Sequence, residues 1–200
     1  MPSNLPLPCV WRASPVDPMD EPNWVTEVLH FWFDELGDAH WFAKSERTDA
    51  QISERFLALH ERLVADDGIE GSMRRPLLAA VIVLDQFSRN IFRDTPRAYA
   101  ADPIARRLAR SAIDRGFDDA MTAQERLFLY LPFEHSEDRA DQALAVELIA
   151  QLDNAEWTRD AMAHKAIIDR FGRFPHRNAI LNRHSSADEV ALLRQPDGWF

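Results

Sequence analysis

The chain has 200 residues, a formal net charge of −10 at pH 7 and a single cysteine. That length is enough for one domain with a sizeable core, and one cysteine excludes an internal disulfide, so the cytoplasm is the expected location. The acidic balance argues against non-specific nucleic-acid binding, which needs phosphate-neutralising cations. The longest apolar run, residues 77–84, is too short to cross a bilayer, so we expect no membrane partner either.

Residues 1–22 contain six of the twelve prolines and show little apolar periodicity. They lack the basic start and the continuous apolar stretch of a signal peptide. We therefore predict an extended or disordered tail over residues 1–22, followed by a single domain over residues 23–200.

The apolar residues recur at helical spacing from residue 23 onward and predict a first helix that stops at Gly37. A capping box at Thr48 and Gln51 predicts the start of a second helix, which ends before Gly68. The next helix, over about residues 74–93, is apolar all round in its first half, which predicts that it is central and buried.

The later helices have start and stop signals of their own. Asp102 begins one helix, the capping boxes TAQE (122–125) and SADE (186–189) begin two others, and amphipathic runs cover about 137–152 and 157–171. Pro132 is expected to kink or end the helix that begins at TAQE. No stretch alternates apolar and polar residues as a strand does, so the prediction is an all-α fold with seven to nine helices.

The central helix turns polar in its second half, LDQFSRNIFR (84–93). Helical spacing places Asp85 beside Arg89, and Gln86 beside Asn90 and Arg93. A charge entering a buried helix is costly unless it is paired. The pattern leaves two interpretations open: these residues pin the helix to its neighbours, or Gln86, Arg89, Asn90 and Arg93 line the wall of a pocket with Asp85.

A second polar motif is LPFEHSED (131–138), where Glu134 and His135 follow Pro132. The pair is a candidate general acid and base, because both residue types titrate near neutral pH once perturbed. A helix cap and a core histidine would explain the same residues. His164, on a following helix, is a further candidate for the same site.

Metal and nucleophile chemistry find little support in the sequence. The histidines His135, His164, His176 and His184, with Glu134, are numerous enough to bind a metal. No two of these histidines have the i, i+4 spacing of a helical zinc motif, so we expect no metal and no cofactor. Cys9 lies in the tail, no serine stands in a Gly-x-Ser-x-Gly elbow, and there is no glycine-rich phosphate loop.

The third motif, DRFGRFPHRN (169–178), collects cations in an acidic chain. Gly172 is expected to end a helix, and Phe171 and Phe174 to anchor a rigid turn in the core. The predicted ligand-binding residues of the motif are Arg170, Arg173, His176, Arg177 and Asn178. The polar groups of Arg173, His176 and Arg177 are expected to face the bend at Glu134 and His135.

Four sequence strings occur in this order: FWF with WF at 41–42, LDQFSRNIFR, LYLPFEHSED and RFGRFPHRNAIL. Through these strings the chain resembles the domain of unknown function 924 family over about residues 24–200. The resemblance implies an all-helical, tetratricopeptide-like fold, a single compact domain of helices packed as antiparallel pairs, and no agreed activity. The chain departs from the family pattern at Ser88, where proline is usual, and at Asn182, His184 and Ala187. The first departure should straighten the central helix.

Three hypotheses about function follow. If the motifs converge, Asp85 and Glu134 would partner some of the arginines, and the excess of basic groups would suit a small anionic ligand, with acid/base chemistry left open. Alternatively, the motifs are internal staples of an adaptor that binds a peptide or protein partner. A metal-dependent hydrolase ranks third. The sequence leaves the oligomeric state and any catalysis undecided.

Overall fold

The computed structural model describes residues 21–69 and 73–195, and the regular structure in these ranges is entirely helical. The α-helices are α1 (Asn23–His30), α2 (Glu46–Ala65), α3 (Arg74–Ile82), α4 (Ser88–Ile91), α5 (Asp102–Asp114), α6 (Ala123–Glu134), α7 (Arg139–Ala150), α8 (Ala155–Phe171), α9 (Arg177–Ile180) and α10 (Ala187–Leu193). A π-helical segment, Phe31–Leu36, extends α1, and another, Val83–Phe87, joins α3 to α4. The predicted all-α class is confirmed.

The helix formed by α3, Val83–Phe87 and α4 is continuous and lies at the centre of the fold. If it is counted as one, the described residues hold nine α-helices, within the predicted range. Residues 77–84 are at most 2% exposed, as the apolar run predicts. The helices α1, α5 and α6 pack against α3, and α2 packs against the π segment and α4. Burial of this surface from all sides is the main stabilising contribution to the core.

The central helix is not a regular α-helix, although Ser88, at a position where the family resemblance implies proline, was expected to straighten it. Its turn at Val83–Phe87 is π-helical, and Asp85 lies within that turn. The Ser88 hydroxyl donates a hydrogen bond to the Leu84 carbonyl (2.7 Å) and lies 2.6 Å from Nε2 of His60 on α2. A serine that bonds the carbonyl four residues back is a known cause of local distortion in a helix.

Helix ends follow the predicted caps with two corrections. The capping boxes at Thr122 and Ser186 are both formed. However, α2 begins at Glu46 and is capped by Ser45, so Thr48 lies in its first turn. Pro132 does not end α6, which continues to Glu134 with His135 as its C-cap, whereas a kink at Pro132 stays a prediction.

The last three long helices pack in sequence, α6 on α7 and α7 on α8. Their connections are short, which favours antiparallel neighbours. Gly172 ends α8 in a left-handed conformation (φ 69°), as predicted, and the chain then turns back toward the end of α6. The tetratricopeptide-like arrangement of helix pairs stays a prediction.

Most of the predicted tail lies outside the described residues. Its last part, Glu21, binds Arg75 at the start of the central helix with a 2.9 Å ion pair and accepts a hydrogen bond from Thr26. None of the helices in the described part of the chain combines the length and apolarity needed to cross a bilayer.

Candidate functional site

Polar residues from the three predicted motifs meet where the second half of the central helix, the start of α5, the end of α6 and the turn before α9 come together. This polar cluster consists of Asp85, Gln86, Arg89, Tyr99, Asp102, Glu134, His135, His164, His176 and Arg177. Eight of the ten members are residues that the sequence predicted for the site. Residues of all three motifs therefore lie close together at one position in the fold.

Asp85 is the fully buried centre of the cluster. Its carboxylate lies 3.1 Å from Nη1 of Arg89 and accepts hydrogen bonds from Gln86 Nε2 (2.6 Å) and from Nδ1 of His135 (2.9 Å). Burial alone would raise the pKa of Asp85, but Arg89 and His135 outweigh it and lower that pKa to about 2. The carboxylate therefore stays ionised and holds His135 with the proton on Nδ1.

Arg89 joins Asp85 to a second acid, Asp102, at the start of α5. Its guanidinium donates two hydrogen bonds to the Asp102 carboxylate, at 3.0 and 3.1 Å. Arg89 and Arg177 thus face Asp85 and Asp102, two cations against two anions. The expected excess of basic groups is not found in the cluster, because Arg170 and Arg173 lie elsewhere and Asp102 supplies an acid that the motifs lack.

Glu134 at the end of α6 and His164 on α8 form a pair of uncharged groups. Burial, with the like charges of Asp160 and Asp85, raises the pKa of Glu134 to about 8, and burial lowers the pKa of His164 to about 3. The 3.1 Å contact between Oε1 of Glu134 and Nδ1 of His164 is therefore not an ion pair at neutral pH. Nδ1 of His164 carries a hydrogen, since it donates to the Asp160 carbonyl at 2.9 Å.

Arg177, the first residue of α9, enters the cluster and lies between two aromatic rings. Its guanidinium carbon lies 4.5 Å from the ring centre of Tyr99 and 4.6 Å from that of Phe174. One Nη donates to the His135 carbonyl (2.9 Å), while the other stays 3.7 Å from Asp102. Burial and the neighbouring Arg89 lower the pKa of Arg177.

The bend at the end of α6 is tied to the turn before α9 by one carboxylate. Oε1 of Glu137 accepts a hydrogen bond from the Phe174 amide (2.8 Å), and both Glu137 oxygens accept from Arg183 (2.7 and 2.9 Å). The half-buried His176 lies beside Phe174, and burial together with Arg177 lowers the pKa of His176 to about 3. The second and third motifs are therefore held in contact by a polar clamp.

Other predicted site residues lie outside the cluster and have partners of their own. Asn90 and Arg93 bind Asp49 on α2, with Arg93 making two hydrogen bonds (2.6 and 2.7 Å). Arg173 does not face the bend: it pairs with Glu189 on α10 (2.6 Å).

The last two predicted residues are also held away from the bend. Asn178 donates to the Ser185 hydroxyl at 3.1 Å. Arg170 is exposed and lies 4.6 Å from the ring of Phe171. Four of the predicted members thus pack or pair at other places in the fold, and Arg170 faces the surface.

Tyr99 and Asp102 belong to the cluster but were not predicted for it. Asp102 was assigned a helix-starting role, and its position as the first residue of α5 is consistent with that. The sequence offered one indication of such an acid. The motifs contain more basic than acidic side chains, and buried basic side chains need acidic partners, which therefore had to come from outside the motifs.

The geometry of the described residues bears on the expectations about a metal site and about a ligand pocket. No three His, Cys, Asp or Glu side chains in residues 21–69 and 73–195 are placed to hold one metal ion. Two surface clefts, of about 780 and 550 Å³, are lined by α5 with the start of α7 and by residues around Trp24 and Ile69. Neither is lined by a member of the polar cluster.

Comparisons with known proteins agree with the fold. The model of a family described as bacterial proteins of unknown function (DUF924) matches residues 28–197. A solved structure of a protein of unknown function from Agrobacterium tumefaciens, ATU0120, is 39% identical, with a TM-score of 0.80, over 85% of this chain and 96% of that one. The comparison with curated proteins gave no match.

Proposed function

Since the chain belongs to the DUF924 family of bacterial proteins of unknown function, we propose from the geometry of the polar cluster that it binds a small anionic molecule there, with His135 as a proton acceptor. The cytoplasm is the compartment that the single cysteine favours for this activity.

The observation that carries the proposal is the incomplete pairing of Arg177. Its side chain is only 8% exposed, one nitrogen donates to a carbonyl, and the distance to Asp102 is too long for a direct hydrogen bond. Its Nε has no hydrogen-bond partner among the described residues. A buried cation with unused donors is costly, and a carboxylate or phosphate would supply the missing acceptors.

The protonation states around His135 support the second half of the proposal. With Nδ1 donating to Asp85, the Nε2 atom of His135 is an acceptor, and burial followed by Arg89 lowers the pKa of His135, so the ring is neutral at pH 7. The adjacent Glu134, with a pKa of about 8, keeps its proton at the same pH. Neighbouring groups whose pKa values are displaced in this way are suited to accept and donate protons.

A ligand screen with three variants tests the proposal. We would measure the thermal shift produced by a panel of small carboxylates and phosphates on the wild type, Arg177→Lys, His135→Gln and the control Arg170→Gln. The wild type and the control should show the same shift with the best anion, and Arg177→Lys should lose it. A ligand that shifts Arg177→Lys as much as the wild type would refute binding at this cluster.

The second candidate function is an adaptor that binds a peptide or protein, with the cluster as an internal staple. It is favoured by one observation, the absence of cluster residues from the walls of the two clefts. In that case Arg177→Lys and His135→Gln should lower stability by about 1–3 kcal/mol through stranded partners. No anion in the panel should then stabilise the wild type.

A further inference from the structure

A cleft outside the polar cluster has a strongly basic wall on α5. Its volume is about 780 Å³, within the range of small-molecule sites. Four arginines of α5 and its C-cap line it: Arg106, Arg107, Arg110 and Arg115. Pro103 is the one apolar residue of the lining, and the rest is Ser111 with acids of α5 and α7.

The positive charge of Arg106 and Arg110 is only partly balanced, whereas Arg107 pairs with Asp67 at 2.9 Å. Arg106 and Arg110 are one helical turn apart and share a single carboxylate, Asp141, at 3.4 and 3.1 Å. A second acid, Asp138, is engaged as the N-cap of α7, where it accepts from two backbone amides. Like charges four residues apart on a helix repel each other. An anion in the cleft would relieve that repulsion.

Both guanidinium groups have unused donors near the solvent. Arg106 makes one hydrogen bond, from Nη1 to the Ser136 hydroxyl (2.8 Å), and none from Nη2 within the described residues. Among residues 21–69 and 73–195, Arg110 donates only from Nη2, to Asp141, and its guanidinium lies 4.5 Å from the ring centre of Phe133. The two side chains are 40% and 43% exposed, so a ligand can reach them.

We propose that this cleft binds a hydrophilic small molecule through a phosphate group held by Arg106 and Arg110. Guanidinium forks match phosphate oxygens geometrically, and a dianion supplies the charge that Asp141 alone does not. The first turn of α7 borders the cleft, but the Asp138 carboxylate caps it and Asp141 lies in it, so the positive charge of the cleft comes from the arginines of α5 and its C-cap. The polar lining, without an exposed aromatic ring, suits a ligand such as a phosphorylated sugar better than one with an apolar body. No member of the polar cluster lines the cleft, so this site stands or falls independently of the first.

Calorimetric titration at low ionic strength with inorganic pyrophosphate as the probe tests the site. Arg110→Gln should weaken pyrophosphate binding by about tenfold or more, the value of one lost charge-assisted hydrogen bond. Asp141→Asn should tighten binding, because it removes the competing carboxylate and leaves both arginines in place. A purely structural role for these residues would not produce these opposite changes.

Two further variants serve as controls. Arg159→Gln removes an arginine of α8 that is 70% exposed and should leave binding unchanged. Arg177→Lys should also bind pyrophosphate normally, whatever becomes of ligands at the polar cluster. The proposal is overturned if the wild type does not bind pyrophosphate, if Asp141→Asn binds no tighter, or if Arg177→Lys abolishes binding. If Arg110→Gln fails to fold, the Asp141→Asn result alone decides.

Discussion

Replacing Asp85 by alanine should destabilise the protein more than any other single change in the polar cluster. The carboxylate is fully buried and satisfies three donors, from Arg89, Gln86 and His135. Arg89 would keep its two hydrogen bonds to Asp102, whereas Nδ1 of His135 and the Gln86 amide would lose theirs. Each stranded donor costs about 1–3 kcal/mol, and breaking a buried ion pair about 3–5 kcal/mol. We therefore expect a loss of about 3–5 kcal/mol in the free energy of unfolding, since the terms overlap.

Urea denaturation at pH 7, followed by tryptophan fluorescence and by circular dichroism, measures this loss and checks two-state behaviour. The matched control is Glu61→Gln, which removes a 2.8 Å ion pair with Arg97 between side chains that are more than half exposed. The control should lose less than about 1 kcal/mol. A loss for Asp85→Ala as small as that of the control would refute the assignment of Asp85 as the buried anchor of the cluster.

Four further predictions concern other parts of the chain. Glu134 holds its proton to about pH 8 in the folded state and to about pH 4.5 in the unfolded state, so its contribution to stability falls as pH rises between these values. Urea titrations at pH 5, 6.5 and 8 should show a smaller fall in the free energy of unfolding for Glu134→Gln than for the wild type. An equal fall in both proteins would contradict the raised pKa of Glu134. His164 and His176, with pKa values lowered to about 3, should show no NMR titration above pH 5, and a midpoint near 6.5 in either would mean that its ring is not buried. Gly172→Ala should lower the free energy of unfolding by about 1–2 kcal/mol because alanine is strained in the left-handed backbone conformation, while the added methyl group itself meets no neighbouring atom. An unchanged free energy of unfolding would count against that conformation. Deletion of residues 1–20 should leave the melting temperature within a few degrees, and a larger fall would mean that this segment packs on the domain.

The fold was predictable because its signals are local. Apolar residues three and four apart, capping boxes at Thr122 and Ser186 and a glycine at residue 172 each depend on neighbours within one or two turns. The same local rule identified the Asp85–Arg89 contact. Where two local signals competed, as Ser45 and Thr48 did for the start of α2, the sequence favoured the wrong one.

The partners of most site residues were not predictable, since they lie far away along the chain. Arg93 finds Asp49 and Arg173 finds Glu189, contacts that no helical spacing describes. The burial of Glu134 and His164, which decides their pKa values, likewise depends on how α6 and α8 pack. A motif can therefore contain the right residues for a site while tertiary packing decides which of them reach it.

The π-helical turn at Val83–Phe87 contains one residue more than the same length of regular α-helix would need. Deleting one residue there would restore regular helix and rotate everything after it by about 100°. Arg89 would leave Asp102 and Arg93 would leave Asp49 together, while the apolar residues before the turn would keep their packing. Loss of the extra residue and loss of the distant acids should therefore occur together in evolution. Relatives that are one residue shorter at this point are expected to lack both Asp49 and Asp102.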